Sequence, residues 1–161
     1  MSTEANDTDA PHSVRPAVYG DLRRILELAA TMHDAVRTDP PTDRERAVFR
    51  QILTSSGRTV LVGESNDAVV GMCDLIVVPN ISRSAMPWAA IENLSVDLAY
   101  RRQGYGRALL LRAVRLAEDV GCYKVQLISN ARRGEAHGLY EALNFDVPVK
   151  GFRRYLVALP E

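Results

Sequence analysis

Arg101-Arg102-Gln103-Gly104-Tyr105-Gly106-Arg107 is the stretch of this chain with the residue types to hold an anion. Ala90-Ile91-Glu92-Asn93-Leu94-Ser95-Val96 precedes it and reads as a strand. Ala108 to Val120 follows, with apolar residues at 109, 110, 113, 116, 117 and 120, the spacing of one helical face. The first turn of a helix carries N–H groups with no intrahelical partner, and the helix dipole adds partial positive charge there. Gly104 and Gly106 lack the Cβ atoms that would hold a ligand off the backbone. Five arginines (101, 102, 107, 112 and 115) lie between Asp97 and Glu118 with no acid among them. Such a loop suits a pyrophosphate-sized anion held by main-chain amides and flanked by guanidinium groups.

The spacing excludes two common phosphate loops. A dinucleotide fingerprint needs glycine or alanine at 109, which is Leu109. A P-loop needs Gly-Lys-Ser/Thr where Leu109-Leu110-Leu111 stands. What remains is Arg-x-x-Gly-x-Gly between a strand and an amphipathic helix, a pattern that a tight connection without any ligand would also carry. It resembles the acyl-CoA-binding signature of the GNAT superfamily of N-acyltransferases. The resemblance implies that the amides of the loop from Arg101 through Arg102, Gln103, Gly104, Tyr105 and Gly106 to Arg107 hold the CoA pyrophosphate. It also implies that Leu94 and Val96, at the end of the preceding strand, pair with pantetheine.

The elements around this loop are legible in order. Val14 to Val18 is a short strand, with Pro16 marking an edge position or an early end. Asp21 stands where it would cap a helix with Leu22, Ile25, Leu26, Ala29, Met32 and Val36 on one face, ending before Pro40-Pro41. Thr42-Asp43-Arg44-Glu45 has the form of a capping box for a second helix reaching Leu53. Thr59 to Gly63 and Ala68 to Val78 read as strands joined by a hairpin turn at 64–67, and Trp88 to Val96 as a third. After the anion loop and its helix, Gly121 is a stop signal. Tyr123 to Ile128 is a strand, Arg133 to Leu143 a helix, and Phe145 to Val149 and Phe152 to Leu159 closing strands.

This order is α+β: an antiparallel meander, then a crossover helix into a parallel partner. It is also the GNAT order, a mixed and mostly antiparallel sheet flanked by helices, in which the resemblance implies acyl-CoA between splayed strands. The opening Val14-Arg15-Pro16-Ala17 with Asp21-Leu22 is similar to the family's start. Ala136-His137-x-x-Tyr140-Glu141-x-x-Asn144-Phe145 is similar to its C-terminal motif, with Asn144 in place of the usual glycine. Asn tolerates the left-handed conformation a helix C-terminus needs. Arg133 stands where many members have a CoA-contacting asparagine, which implies a subgroup with Arg-x-x-Ala-His-x-x-Tyr and makes Arg133 a candidate cofactor contact.

Composition narrows the function classes. With 161 residues, 47% hydrophobic and 25% charged, the chain fits one domain over residues 13–161 behind a disordered tail at 1–12. Twenty basic and twenty acidic residues cancel, so no global charge argues for nucleic acid or a membrane surface. No apolar run approaches the ~20 residues of a membrane span. The N-terminus is acidic (Glu4, Asp7, Asp9) and lacks the form of a signal peptide. Cys73 and Cys122 read as buried free thiols of a reducing cytoplasm. His12, His33 and His137 are too far apart in sequence, and the cysteines too irregular in spacing, to indicate a metal.

Acyl transfer from a thioester to an amine needs a base for the ammonium proton, a donor for the oxyanion and a proton for the departing thiolate. Glu92 is the candidate base. On a regular strand it shares a face with Leu94 and Val96, and an acid placed among Ile91, Leu94 and Val96 would have a raised pKa. The plain alternative is a carboxylate paired with arginine on the sheet. Tyr140 is the candidate acid, against the alternative of an aromatic packed in the core beside Ala136 and Leu143. His137 reads as structural or cofactor-adjacent. The expected activity is transfer of acetyl from acetyl-CoA, with no metal, to a primary amine of a small molecule. Acetylation of a protein N-terminus or lysine, and acyl-CoA sensing without catalysis, are the alternatives. The resemblance also allows a homodimer, a state common in the family.

Overall fold

In the computed structural model, which describes residues 12–129, 134–146, 151 and 154–157, five strands join one sheet in sequence order. They are β1 (Ser13–Pro16), β2 (Arg58–Ser65), β3 (Ala68–Val78), β4 (Trp88–Val96) and β5 (Val125–Leu127). β1 to β4 run antiparallel, and β5 lies parallel to β4 across the helical crossover. The four helices are α1 (Leu22–Thr31), α2 (Asp43–Leu53), α3 (Tyr105–Asp119) and α4 (Gly134–Ala142). The meander, the crossover and the parallel partner are those expected. Pro16 is the last residue of β1, the edge strand, where a missing N–H breaks no ladder. The expected strands after Phe145 lie largely outside the described residues, and residues 145, 146, 151 and 154–157 are not in strands.

The chain divides after Leu127 into two compact units. In the first, α1 and α2 cover one face of the sheet, where Leu22, Ile25, Leu28 and Phe49 bury against Val60, Val62, Val69 and Met72. The other face takes α3. Leu109, with no exposure, lies over Gly63 and Gly71, and a Cβ on Gly71 would stand 3.1 Å from Leu109 Cδ1. Cys73 is on this face too, with Sγ 3.8 Å from Leu109 O, and burial pushes its thiol up to about 12. Cys122 is only half-buried.

Local signals explain the element ends. Asn66 and Asp67 (φ 48° and 63°) make the two-residue β2–β3 turn, both left-handed as a type I′ turn requires. Gly121 (φ 76°) closes α3, with Gly121 N donating to Glu118 O and Cys122 N to Ala117 O. This is the Schellman pattern. The expected helix to Val36 stops early by the same device. Asp34 (φ 55°) turns left-handed, its N donates to Thr31 O, and Ala35 N donates to Ala30 O. Val36 is consequently 91% exposed rather than on the buried stripe. Asp21 also departs from its expected role: its side chain caps no helical N–H but accepts from Val18 N (2.8 Å) and pairs with Arg15.

The capping box of α2 forms as read, with Glu45 N donating to Thr42 Oγ1 (3.2 Å) and Thr42 N to Glu45 Oε2 (2.7 Å). Arg37 reaches the same carboxylate (2.6 Å) and, with Thr42 N–H, holds Glu45 down at about 2 from an ordinary 4.5. A lowered folded-state value stabilises above the unfolded one and is lost as pH falls through the folded one. Glu45→Gln keeps the box but loses the charge. Its stability deficit in urea denaturation is expected to be full above pH 4.5 and to fade as the pH approaches 2. A deficit that stays constant through that window would mean that the charge adds nothing.

The second unit contains α4. Beyond its end Asn144 (φ 61°) turns left-handed, its N donating to Glu141 O while Phe145 N donates to Tyr140 O. Asparagine thus takes the left-handed position expected of it.

Candidate active site

The loop before α3 is built from bonds between near neighbours in sequence and one clamp from α1. Asp97 Oδ1 accepts from Ala99 N (2.9 Å), opening a 3₁₀ turn over Leu98–Tyr100. Arg24 of α1 clamps the same carboxylate. The Ala99 N–H, with Arg24, holds the Asp97 carboxyl below its ordinary value against the raising effect of burial. Gln103 Nε2 donates to Ala99 O (2.9 Å), and Arg101 Nε to Val96 O (3.1 Å). Gly104 then turns left-handed (φ 95°) as the N-cap of α3, and Ala108 N makes the first helical bond to Gly104 O. That leaves the N–H groups of Tyr105, Gly106 and Arg107 as the open first turn of the helix.

The loop residues divide by exposure. Arg101, Arg102, Gln103, Gly104 and Arg107 are exposed and Gly106 half-exposed, whereas the Tyr105 side chain is buried. Tyr105 can therefore serve a ligand only through its backbone. Its ring stacks on His12 (4.0 Å between centroids, 25°), and His12 Nε2 lies 2.5 Å from Gln103 O. His12, expected to close a loose tail, instead packs on the loop. Only its distance in sequence hid it.

The strand before the loop is not regular. Asp74 of β3 pairs with Glu92 and Met72 with Ser95, so two residues of β4, Asn93 and Leu94, stand opposite Cys73 alone. Asn93 takes φ 56°, the geometry of a β-bulge. The expectation that Glu92, Leu94 and Val96 share a face fails for this reason. Glu92 points to the face of Met72 and Asp74, and Val96 to the α3 face, where its Cγ2 is a neighbour of Gly71. Leu94 and Val96 are half-buried, and Glu92 is exposed rather than enclosed by Ile91, Leu94 and Val96. β5 pairs with β4 only at 89–91, so 92–96 has no strand on that side among the described residues. Of the backbone groups on that side, Val96 O accepts from Arg101 Nε, and the others face no strand of the described residues.

The arginine-bound carboxylate of this face is Asp74, not Glu92. Asp74 is 2% exposed and accepts from Arg58 Nε at 3.0 and 3.1 Å, with Nη2 closing the fork. Neither residue was singled out from sequence, although an aspartate inside the apolar run 68–78 was the available signal.

In the second unit, Tyr140 is buried, edge-on to Phe145 (6.2 Å, 65°) and tilted against His137 (6.5 Å). Arg133 lies outside the described residues. Among the described residues no three of His, Cys, Asp and Glu gather as metal ligands would, and no helix is long and apolar enough to cross a membrane.

Comparison with known proteins agrees with this geometry. Residues 22–145 match the Acetyltransferase (GNAT) family, and the chain belongs to that family, whose members use acetyl-CoA. It is 34% identical over 127 residues to a glucosamine 6-phosphate N-acetyltransferase of Trypanosoma brucei brucei, covering 78% of this chain and 82% of that one. Among solved structures it is similar to a candidate acetyltransferase from Agrobacterium tumefaciens str. C58 (34% identity, TM-score 0.82, 89% and 99% covered). A structure described as a transcriptional regulator from Bacillus halodurans C-125 is also similar (26% identity, TM-score 0.82, 90% and 99% covered). The chain is an acetyl-CoA-dependent N-acetyltransferase.

Proposed function

We propose that this acetyltransferase acts on a primary amine of a small molecule by direct attack on the thioester, without an acyl-enzyme. The observation that carries the reading is the open first turn of α3 behind a left-handed Gly104, one strand-end away from an exposed carboxylate at a bulge. The amides at 104–107 hold pyrophosphate, with Arg101, Arg102, Gln103 and Arg107 around it. Leu94 and Val96 offer backbone to pantetheine. Since Val96 O is occupied by Arg101, the contact from Val96 falls to its N–H. Glu92 takes the ammonium proton, directly or through water, and Tyr140 returns one to the departing thiolate. Arg133 is proposed as a further cofactor contact within the Arg-x-x-Ala-His-x-x-Tyr subgroup. The trypanosomal relative's substrate puts phosphorylated amino sugars first among the amines to try.

The test is thiol release from acetyl-CoA with amino sugars and their phosphates, polyamines, amino acids and short peptides, run with wild type and Tyr140→Phe. Release with one small-molecule class, cut about 10²-fold or more in the variant, is expected for a general acid. Equal release by the variant would remove Tyr140 from that role. Release only with peptides would move the substrate to protein. Acetyl-CoA binding without release on any amine would favour a sensor.

A further inference from the structure

The Arg58–Asp74 pair is placed where it acts on the proposed base. Asp74 and Glu92 are direct cross-strand partners, so their side chains leave one face of the sheet from Cβ atoms about 5 Å apart. Val60 of β2 faces Asp74 from the other side, and Arg58, two residues earlier on the same face, reaches Asp74 diagonally. Asn93, the bulged residue, has its Nδ2 3.5 Å from Asp74 Oδ2. One buried carboxylate thus links β2, β3 and the bulge of β4.

Stability is by itself a weak reason for this pair, whose Asp74 side chain is buried while that of Arg58 is 35% exposed. An apolar pair of similar volume commonly serves a core as well as a buried ion pair, because desolvation offsets the attraction. Glu92, by contrast, has much to gain from the pairing. The Arg58 guanidinium balances the one charge that β3 places beside Glu92.

Among the described residues, most charges on the neighbouring helices are engaged elsewhere. On α1, Arg24 binds Asp97 and Glu27, and Arg23 binds Glu27. On α2, Glu45 holds Arg37, Arg46 lies nearest Asp43, Arg50 sits on the Tyr19 ring and Arg44 is exposed. β5 (Val125–Leu127) has no titratable residue, and α3 packs on the opposite face.

We propose that Arg58 and Asp74 are positioning residues that set the charge state of Glu92 and hold the bulge presenting it. The inference rests on Glu92 as the base. Its experiment reads Glu92 directly, by a ¹³C side-chain titration whose signal is identified by its loss in Glu92→Gln. Asp74→Asn leaves the Arg58 charge unopposed and is expected to lower the Glu92 midpoint by about one pH unit. Arg58→Met exposes Glu92 to the Asp74 charge and is expected to raise it, while Arg58→Lys keeps the wild-type value. Should Arg58→Met fail to fold, Asp74→Asn decides alone. An unchanged midpoint in folded Asp74→Asn would overturn the proposal. The acid limb of kcat, measured on one amine at saturation, is expected to follow the midpoint. A midpoint that moves while the limb stays would leave the pair's role standing and remove Glu92 as base.

Discussion

Glu92→Gln is expected to lower kcat by about 10²–10⁴ at neutral pH, the usual contribution of a general base. Glutamine keeps the size and the hydrogen-bonding reach of the side chain but cannot take a proton. Glu92 lies outside the loop at 101–107, so the KM for acetyl-CoA is expected to change little. The deficit is further expected to shrink at high pH, because a free alkylamine, with a pKa of ~10, then arrives already deprotonated. Steady-state kinetics against pH checks both parts. A kcat unaffected by the exchange at neutral pH would remove Glu92 from the chemistry and leave its exposure at the bulge without a role.

Gly104→Ala is expected to weaken acetyl-CoA binding about tenfold or more, a loss of ~1.4 kcal/mol. The conformation at φ 95° disfavours any side chain, at a cost of about 1–2 kcal/mol. The new Cβ would also stand 3.0 Å from His12 Nε2. Relief of both requires the loop to turn, and the N–H groups of residues 105–107 turn with it. Gly20→Ala, whose Cβ enters open space, is the control and is expected to bind as wild type does. Isothermal titration with acetyl-CoA measures both variants. Equal affinity of Gly104→Ala and wild type would mean that the first turn of α3 is not where the pyrophosphate sits.

Much of this protein is legible in its sequence because the signals are short. The Thr42 to Glu45 capping box, Gly121 and Asn144 as helix stops, and Arg-x-x-Gly-x-Gly before an amphipathic helix all act within a few residues of themselves. Backbone geometry answers to such signals directly. The end of α1 was missed because aspartate, rather than glycine or asparagine, takes the left-handed position at Asp34. The apolar Met32 and Val36 beyond the true end extended the periodic pattern.

The sequence by itself determined the order of the elements through α4 and the left-handed glycine that opens α3, and it made Glu92 the acid of β4. Only the tertiary structure decided which way Glu92 faces. That direction depends on two residues of β4 opposing one of β3, a difference in count between strands about twenty residues apart. No local pattern encodes such a register. The partnership of Arg58 with Asp74 and the packing of His12 on Tyr105 are of the same kind. Each joins residues whose types were visible from the start but whose meeting is set by the pairing of strands and the return of the chain.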